Sequence, residues 1–333
     1  MSGRYERNER LDESTREGLE DFPPILKRYY HKSARYQATS RRVMINAVKR
    51  FVKYLNNDKG VDITADDWYK KVTPETIHDY FDSIKVKVDK DGKKKIISDS
   101  SINTTWKYLN NFFEFLMRGK YIEENPVAAT EGEFPRSRVK KPVVYMTEDE
   151  VYDVINIIKK RSPEPERDLL IFILGCRTGL RQSAIIDIDI SDINFKEKKL
   201  TVIEKGNVER DLFLDDDTLS LIQDYIDNYR WETSENETDA LFVKLNLHNE
   251  CVRINSWDMK VIIERATIDL DKRITPHKMR STCATNLYLK TGDIFMVAEQ
   301  LGHANIENTK KYTEAIGKAR EASKIMGGMF NRR

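Results

Sequence analysis

Nowhere does the sequence approach the ~20 consecutive apolar residues that a membrane-spanning helix needs. Its charged start, MSGRYERNERLDESTREGLED, contains no apolar signal-peptide core. Cysteine is scarce. Cys176, Cys251 and Cys283 are odd in number, widely spaced and in no metal-ligand pattern, which argues against a disulfide framework and suits a reducing compartment. Internal repeats and low-complexity tracts are also missing. With 39% hydrophobic and 34% charged residues, the chain is expected to be soluble and cytoplasmic, and its 333 residues suggest two domains.

A net charge of +2 says little about partners, but its distribution is uneven. Of 57 basic and 55 acidic residues, positions 1–140 hold 28 and 22, a net of +6, which leaves −4 for the remainder. From Phe22 to Asn57 there is no acid at all, while Tyr29, Tyr30 and Tyr36 are interleaved with basic residues. Within this run Arg41, Arg42, Lys49, Arg50 and Lys53 are candidate contacts to a phosphate backbone. The alternative is a solvated helix face with surplus charge.

Hydrophobic periodicity places three helices in the first ~125 residues. One runs through RRVMINAVKRFVKYLNN, capped by Thr39 or Ser40, with Val43, Met44, Ala47, Val48, Phe51, Val52 and Leu55 on its apolar stripe. The second starts at Thr73-Pro74, and the third covers SINTTWKYLNNFFEFLMRG. Between them VKVDKDGKKKII alternates around Asp91-Gly92, as a hairpin or basic loop would. Thr130 to Val143 is aperiodic, charged and carries two prolines, which is how a linker reads. Beyond it Thr147 and Glu150 form a capping box, DLLIFILGC makes an apolar helix, and INFKEKKLTVIEKGNVERDLFL gives short antiparallel strands. From Thr218 onward the sequence reads as helical. The expected fold is mainly α with one small antiparallel β-sheet. Its expected divisions are a charged tail at 1–22, a helical domain with basic surfaces at 23–129, a linker at 130–146, a mostly helical second domain at 147–315 and a C-terminal tail at 316–333.

Four segments carry chemistry: RTGLR ending at Arg181, IEKGNVER around Lys205, PHKMR with His277 and Arg280, and LGHANIENTKKY with His303 and Tyr312. Transfer of a phosphodiester requires charge on the non-bridging oxygens, a proton for the leaving oxygen and an activated nucleophile. Two arginines offer planar, permanently charged forks to a phosphate. A lysine on a turn can reach a leaving oxygen, and a histidine can take the proton of a tyrosine whose ordinary pKa is ~10. Taken singly, each motif has a plainer explanation: a surface arginine, a turn lysine, a capping histidine, a half-buried tyrosine. Their order together is harder to dismiss.

GLR, the lysine of KGN-x-ER, PH-x-x-R, LGH and the final tyrosine resemble the signature set of the tyrosine recombinases, the phage integrases and Xer-type resolvases among them. The resemblance covers residues ~147–315, and more loosely the N-terminal half, which closes with Asn125-Pro126-Val127. It implies a site-specific recombinase in which Arg181, Lys205, His277, Arg280 and His303 surround a phosphate and Tyr312 attacks it. The product would be a 3′-phosphotyrosine and a free 5′-hydroxyl, formed with no metal, ATP or other cofactor. The implied partners are double-stranded DNA with inverted half-sites and further copies of the chain, a monomer or dimer when free and a tetramer on paired sites. An accessory directionality protein and a setting in a mobile element, the nucleoid or a virus-infected cell are also implied. The C-terminal tail, with Ile316, Ile325 and Met326 at helical spacing, would dock on a neighbouring protomer or fold back on its own domain. In one respect the chain departs from the family: the acidic residue usual three positions after the first arginine is Ala184 here, with Asp187 a turn further on. Ala184 also motivates the alternative of a DNA-binding regulator that keeps the fold without recombining.

Overall fold

The computed structural model describes residues 3–88, 92, 94–134, 142–204, 208–231, 239–303 and 305–314. They fall into two compact units, one of residues 4–140 and one beginning at Lys141. No helix among the described residues is long and apolar enough to cross a membrane.

The N-terminal unit is a bundle of α1 (Gly3–Glu17), α2 (Pro24–Lys32), α3 (Ala38–Lys59), α4 (Pro74–Ile84) and α5 (Asp99–Arg118). Strands β1 (Val86–Val88) and β2 (Lys94–Ile96) form the expected antiparallel hairpin, with Val86 opposite Ile96. On α3 the buried stripe is Met44, Ile45, Ala47, Val48, Phe51, Val52 and Leu55. Val43, expected on that stripe, is exposed, and Ile45 takes its place. The cap is Gln37 rather than Thr39 or Ser40, and Gly60 ends the helix in the left-handed conformation. α4 begins on a reciprocal cap between Thr73 and Thr76. Phe112, Phe113 and Leu116 of α5 close the core, and each such fully buried side chain contributes roughly 1.5–3 kcal/mol.

Residues 3–22 differ from the expected free tail. α1 is almost wholly polar, but Asp12 pairs with Arg41 of α3, the hydroxyl of Tyr30 donates to the Asp12 carbonyl, and Leu19, just beyond the helix, sinks into the bundle core. Polar anchors and a single leucine hold this helix, so apolar periodicity could not reveal it.

The C-terminal unit contains α6 (Glu148–Arg161), α7 (Pro165–Thr178), α8 (Gln182–Ile186), α9 (Asp216–Asp224), α10 (Ser256–Ala266), α11 (Pro276–Thr291), α12 (Ile294–Leu301) and α13 (Glu307–Glu314). The Thr147–Glu150 capping box forms as expected. Strands β3 (Ile193–Asn194), β4 (Lys199–Glu204) and β5 (Val208–Phe213) make an antiparallel sheet in that order. A second hairpin, β6 (Val243–Leu245) with β7 (Cys251–Arg253), corrects the expectation of a purely helical stretch after Thr218. Its strands are three residues each, too short to show alternation. Asn246 builds the turn by accepting from the backbone of His248 and Glu250.

α7 and α11 lie close because Gly175 faces Met279: a Cβ at Gly175 would come within 2.6 Å of the Met279 Cε. Arg167 ties the start of α7 to β6. It meets Asp168 at 2.7 Å and Glu164 at 2.7 Å and donates to the Val243 carbonyl at 3.2 Å. Arg167 and Asp168 are 7% and 2% exposed, so losing one partner strands a charge away from water. Arg167→Ala is expected to lower unfolding stability by about 3–5 kcal/mol. Arg161→Ala, which removes an exposed pair with Asp269, should cost under ~1 kcal/mol. Urea unfolding of both variants checks this; equal losses would show that the Arg167 cluster is not an anchor.

Candidate active site

The RTGLR segment turns sharply. α7 ends at Thr178, Gly179 adopts φ +64°, and Arg181 becomes the N-terminal flank of α8. A side chain at Gly179 would meet Leu301 Cδ2 at 2.6 Å and Cys283 Sγ at 3.2 Å, so glycine suits both the conformation and the close approach of α12. The freed carbonyl of Gly179 accepts from Arg280 Nη1 at 2.7 Å, and the carbonyl of Leu301 accepts from Arg280 Nη2 at 2.7 Å. Arg280, 1% exposed, is therefore clamped between the C-terminal ends of α7 and α12, where the helix dipoles favour a cation. His277 precedes Arg280 by one turn on α11 and is exposed.

α12 ends at Gly302, in the left-handed conformation (φ +63°). Here too the space is taken, because a Cβ would lie 2.8 Å from Arg210 Nε. His303 follows. Its backbone N–H donates to the Ala298 carbonyl at 2.9 Å, and its Nδ1 is 2.8 Å from the buried Thr309 hydroxyl of α13. Tyr312, one turn beyond Thr309, is fully buried with Ala284, Val297 and Leu301. Its ring is nearly parallel to that of His303, with centroids 6.4 Å apart. Among the described residues the Tyr312 hydroxyl meets no hydrogen-bond partner of good geometry.

Electrostatics follow from this crowding. The pKa of Arg280 is lowered by burial and by Arg210, with Tyr312 opposing. That of Arg181 is lowered by burial, then by Arg280 and Arg210. His303 is pushed down to about 4, first by desolvation and then by the charges of Arg280, Arg181, Lys311 and Arg210. His277 is also lowered, by desolvation followed by Lys311, Arg280, Lys278 and Arg181. Both imidazoles are thus held neutral near pH 7, where a neutral ring can accept a proton.

Five of the six expected catalytic residues, Arg181, His277, Arg280, His303 and Tyr312, converge here; Lys205 lies outside the described residues, between β4 and β5 in sequence. Two further groups belong to the cluster. Glu204, 6% exposed at the end of β4, pairs through Oε2 with Arg181 Nη1 and through Oε1 with Arg210 Nη2 at 3.0 Å. Arg210 Nη1 also donates to the carbonyls of Glu299 and Gln300, at 3.3 and 3.1 Å. Alternation could have found both. With Glu204 opposite Val208, Val202 opposite Arg210 and Leu200 opposite Leu212, these two charges share the sheet face of two buried leucines and a valine. Ala184, meanwhile, packs into the hydrophobic core, and the carboxylate at Arg181 comes from the sheet.

The five expected DNA contacts are not equivalent. Arg41 pairs with Asp12 and stacks on Tyr30, with its guanidinium 4.9 Å from the ring centroid. Lys49 donates to the Gly18 carbonyl and sits 4.7 Å over Phe22. Both spend their charge inside the N-terminal unit. Arg42, Arg50 and Lys53 are exposed on α3.

The phage integrase family matches residues 144–317, more than half of the chain. In sequence the chain is 34% identical over 207 residues to the tyrosine recombinase XerC of Caldanaerobacter subterraneus subsp. tengcongensis. That alignment covers 62% of this chain and 56% of the other, so the chain spans little more than half of that relative. Identity to the tyrosine recombinase XerC of Vibrio cholerae serotype O1 is 27% over 283 residues, covering 80% of this chain and 87% of that one. The XerH site-specific recombinase bound to its difH substrate has a similar fold, with a TM-score of 0.59 at 17% identity over 86% of this chain and 79% of that one.

The depressed histidines make stability depend on pH with a definite sign. Between about 4 and the ordinary histidine value near 6.5, the unfolded chain binds a proton at position 303 that the folded chain refuses. Stability therefore falls as pH drops through this window. Urea midpoints at pH values from 4.5 to 7.5 should show a shallower fall for His303→Gln than for the wild type. Parallel curves would mean that His303 titrates normally.

Proposed function

The chain belongs to the phage integrase family, the tyrosine recombinases, and from that premise we propose that it cuts and rejoins DNA at specific sites through Tyr312. The observation that carries this is the convergence of Arg181, Arg280 and a neutral His303 on one tyrosine. Arg181 and Arg280 hold the non-bridging oxygens of the scissile phosphate and stabilise the charge that builds on them. In the tautomer whose Nδ1 donates to Thr309, His303 keeps Nε2 free to take the Tyr312 proton as the phenolic oxygen attacks phosphorus. The bond from Tyr312 to the 3′-phosphate forms as the bond to the 5′ oxygen breaks, and Lys205 delivers the proton that makes this oxygen a hydroxyl. One phosphoester replaces another, so the exchange balances without ATP.

Arg280 and Tyr312 are both enclosed as they stand. For a phosphate to reach them α13 must shift from its seat on Ala284, Val297 and Leu301. The substrate is a duplex with inverted half-sites, gripped by the N-terminal unit through Arg42, Arg50 and Lys53, with a tetramer of the chain on paired sites. The C-terminal residues 316–333, outside the described residues, are the segment proposed to join protomers. The regulator alternative loses its motive, because Arg181 has a carboxylate partner in Glu204 despite Ala184.

Two experiments test this. A nicked duplex, selected from a random pool by binding, should trap a protein–DNA adduct that survives denaturant in EDTA and without ATP. Tyr312→Phe should abolish the adduct and keep binding; tight binding by the wild type with no adduct would overturn the assignment. Replacing Arg42, Arg50 and Lys53 together by glutamine should reduce the slope of log affinity against log salt by about 2–3, whereas Arg41→Gln should mainly reduce stability. An unchanged slope in the triple variant would remove α3 from the DNA interface.

A further inference from the structure

We propose that Glu204 is a positioning residue for strand cleavage, the carboxylate that holds Arg181 in place to receive the phosphate. This role rests on the recombinase reaction proposed for the site. The guanidinium groups of Arg181, Arg210 and Arg280 crowd one partly buried space: beside burial, Arg280 and Arg210 lower the pKa of Arg181, and Arg210 lowers that of Arg280. Like charges so placed repel strongly at low dielectric, and a flexible side chain among them swings toward solvent unless something opposes it. Arg280 is fixed by the carbonyls of Gly179 and Leu301. Arg210 is fixed by those of Glu299 and Gln300. Among the described residues Arg181 meets no comparable backbone clamp; it follows the turn at Gly179, and its ion pair is with Glu204.

Glu204 is suited to that task in three ways. It is 6% exposed, so water screens it little. Its two oxygens are divided between two arginines, which fixes the rotation of the carboxylate as well as its place. And Arg210 anchors it in turn to the last turn of α12, the helix whose Leu301 carbonyl holds Arg280. A continuous path, Arg181 to Glu204 to Arg210 to α12 to Arg280, thus sets the spacing of the two phosphate-binding arginines. One carboxylate among three guanidiniums leaves a net charge of +2 for an incoming phosphodiester of −1, enough to bind it without leaving the arginines uncompensated. Ala184 is buried in the hydrophobic core of the unit and supplies no charge, which leaves this task to the strand. Glu204 also immediately precedes Lys205 in sequence, so the same strand end leads from the phosphate-binding side of the reaction to the proposed leaving-group acid.

The test compares wild type, Glu204→Gln and Glu204→Asp in the full chain on the selected duplex. It measures equilibrium binding, thermal midpoint and single-turnover formation of the tyrosine adduct. Glu204→Gln should bind DNA like the wild type but cleave roughly 10- to 100-fold more slowly, with Glu204→Asp, which keeps the charge, in between. A second substrate carries a methylphosphonate at the scissile position, which removes the negative charge that Arg181 is there to meet. On it the variant and wild-type rates should approach each other. A merely structural Glu204 would slow both substrates alike, and that result, or full-rate cleavage of the phosphodiester by Glu204→Gln, overturns the proposal. Should Glu204→Gln lose its fold, Glu204→Asp decides through the same pair of substrates. A wild type that never forms the adduct would instead count against the recombinase reaction itself.

Discussion

The arrangement depends on one buried guanidinium. Arg280 donates to the carbonyls of Gly179 and Leu301, and both acceptors sit where a helix has just ended. A charge this deeply buried is tolerable only when its donors are met and negative partial charges face it. α7 and α12 must therefore finish within reach of the same side chain. The two glycines follow from this: Gly179 and Gly302 each take a left-handed conformation, and each stands where a Cβ would strike a neighbour. GLR and LGH are the sequence record of one clamp seen from its two jaws.

The same clamp shapes the chemistry. Burial, and after it the cations gathered around Arg280, depress His303, so the charge proposed to bind a phosphate also helps to keep the nearby base free to accept a proton. Opposing demands on a site, positive for the substrate and neutral for the base, are met by a single cluster. Tyr312 is seated against this cluster by apolar contacts and by the His303 ring, with no ion pair of its own among the described residues to hold it there.

Much of this was legible in the sequence wherever a local rule governs. The helix start at Thr73-Pro74, the capping box at Thr147, the apolar stripes of α3 and α5, and the spacing of His277 and Arg280 are all short-range patterns. What escaped was non-local or too short. α1 is held by Asp12 meeting an arginine 29 residues away, and a helix of polar residues gives no apolar stripe to read. The three-residue strands of β6 and β7 cannot show a period. The acid-free run at 22–57 offers five candidate DNA contacts or a solvated face, yet Arg41 and Lys49 find partners in Asp12 and the Gly18 carbonyl, which precede that run in sequence. The carboxylate beside Arg181 was sought along α8, at Ala184 or Asp187, because helix neighbours are easy to count. It came across from a strand 23 residues away.

That displacement bears on how members of such a family are compared. An alignment column asks whether a residue type recurs at one place in the chain, whereas the requirement here is for a negative charge at one place in space. Judged by the column of Ala184 alone, this chain would lack a support. Judged by what touches the guanidinium, the carboxylate is present, on a sheet rather than a helix, and Arg210 holds its other oxygen. Positions 184 and 204 are thus to be read together when such chains are compared.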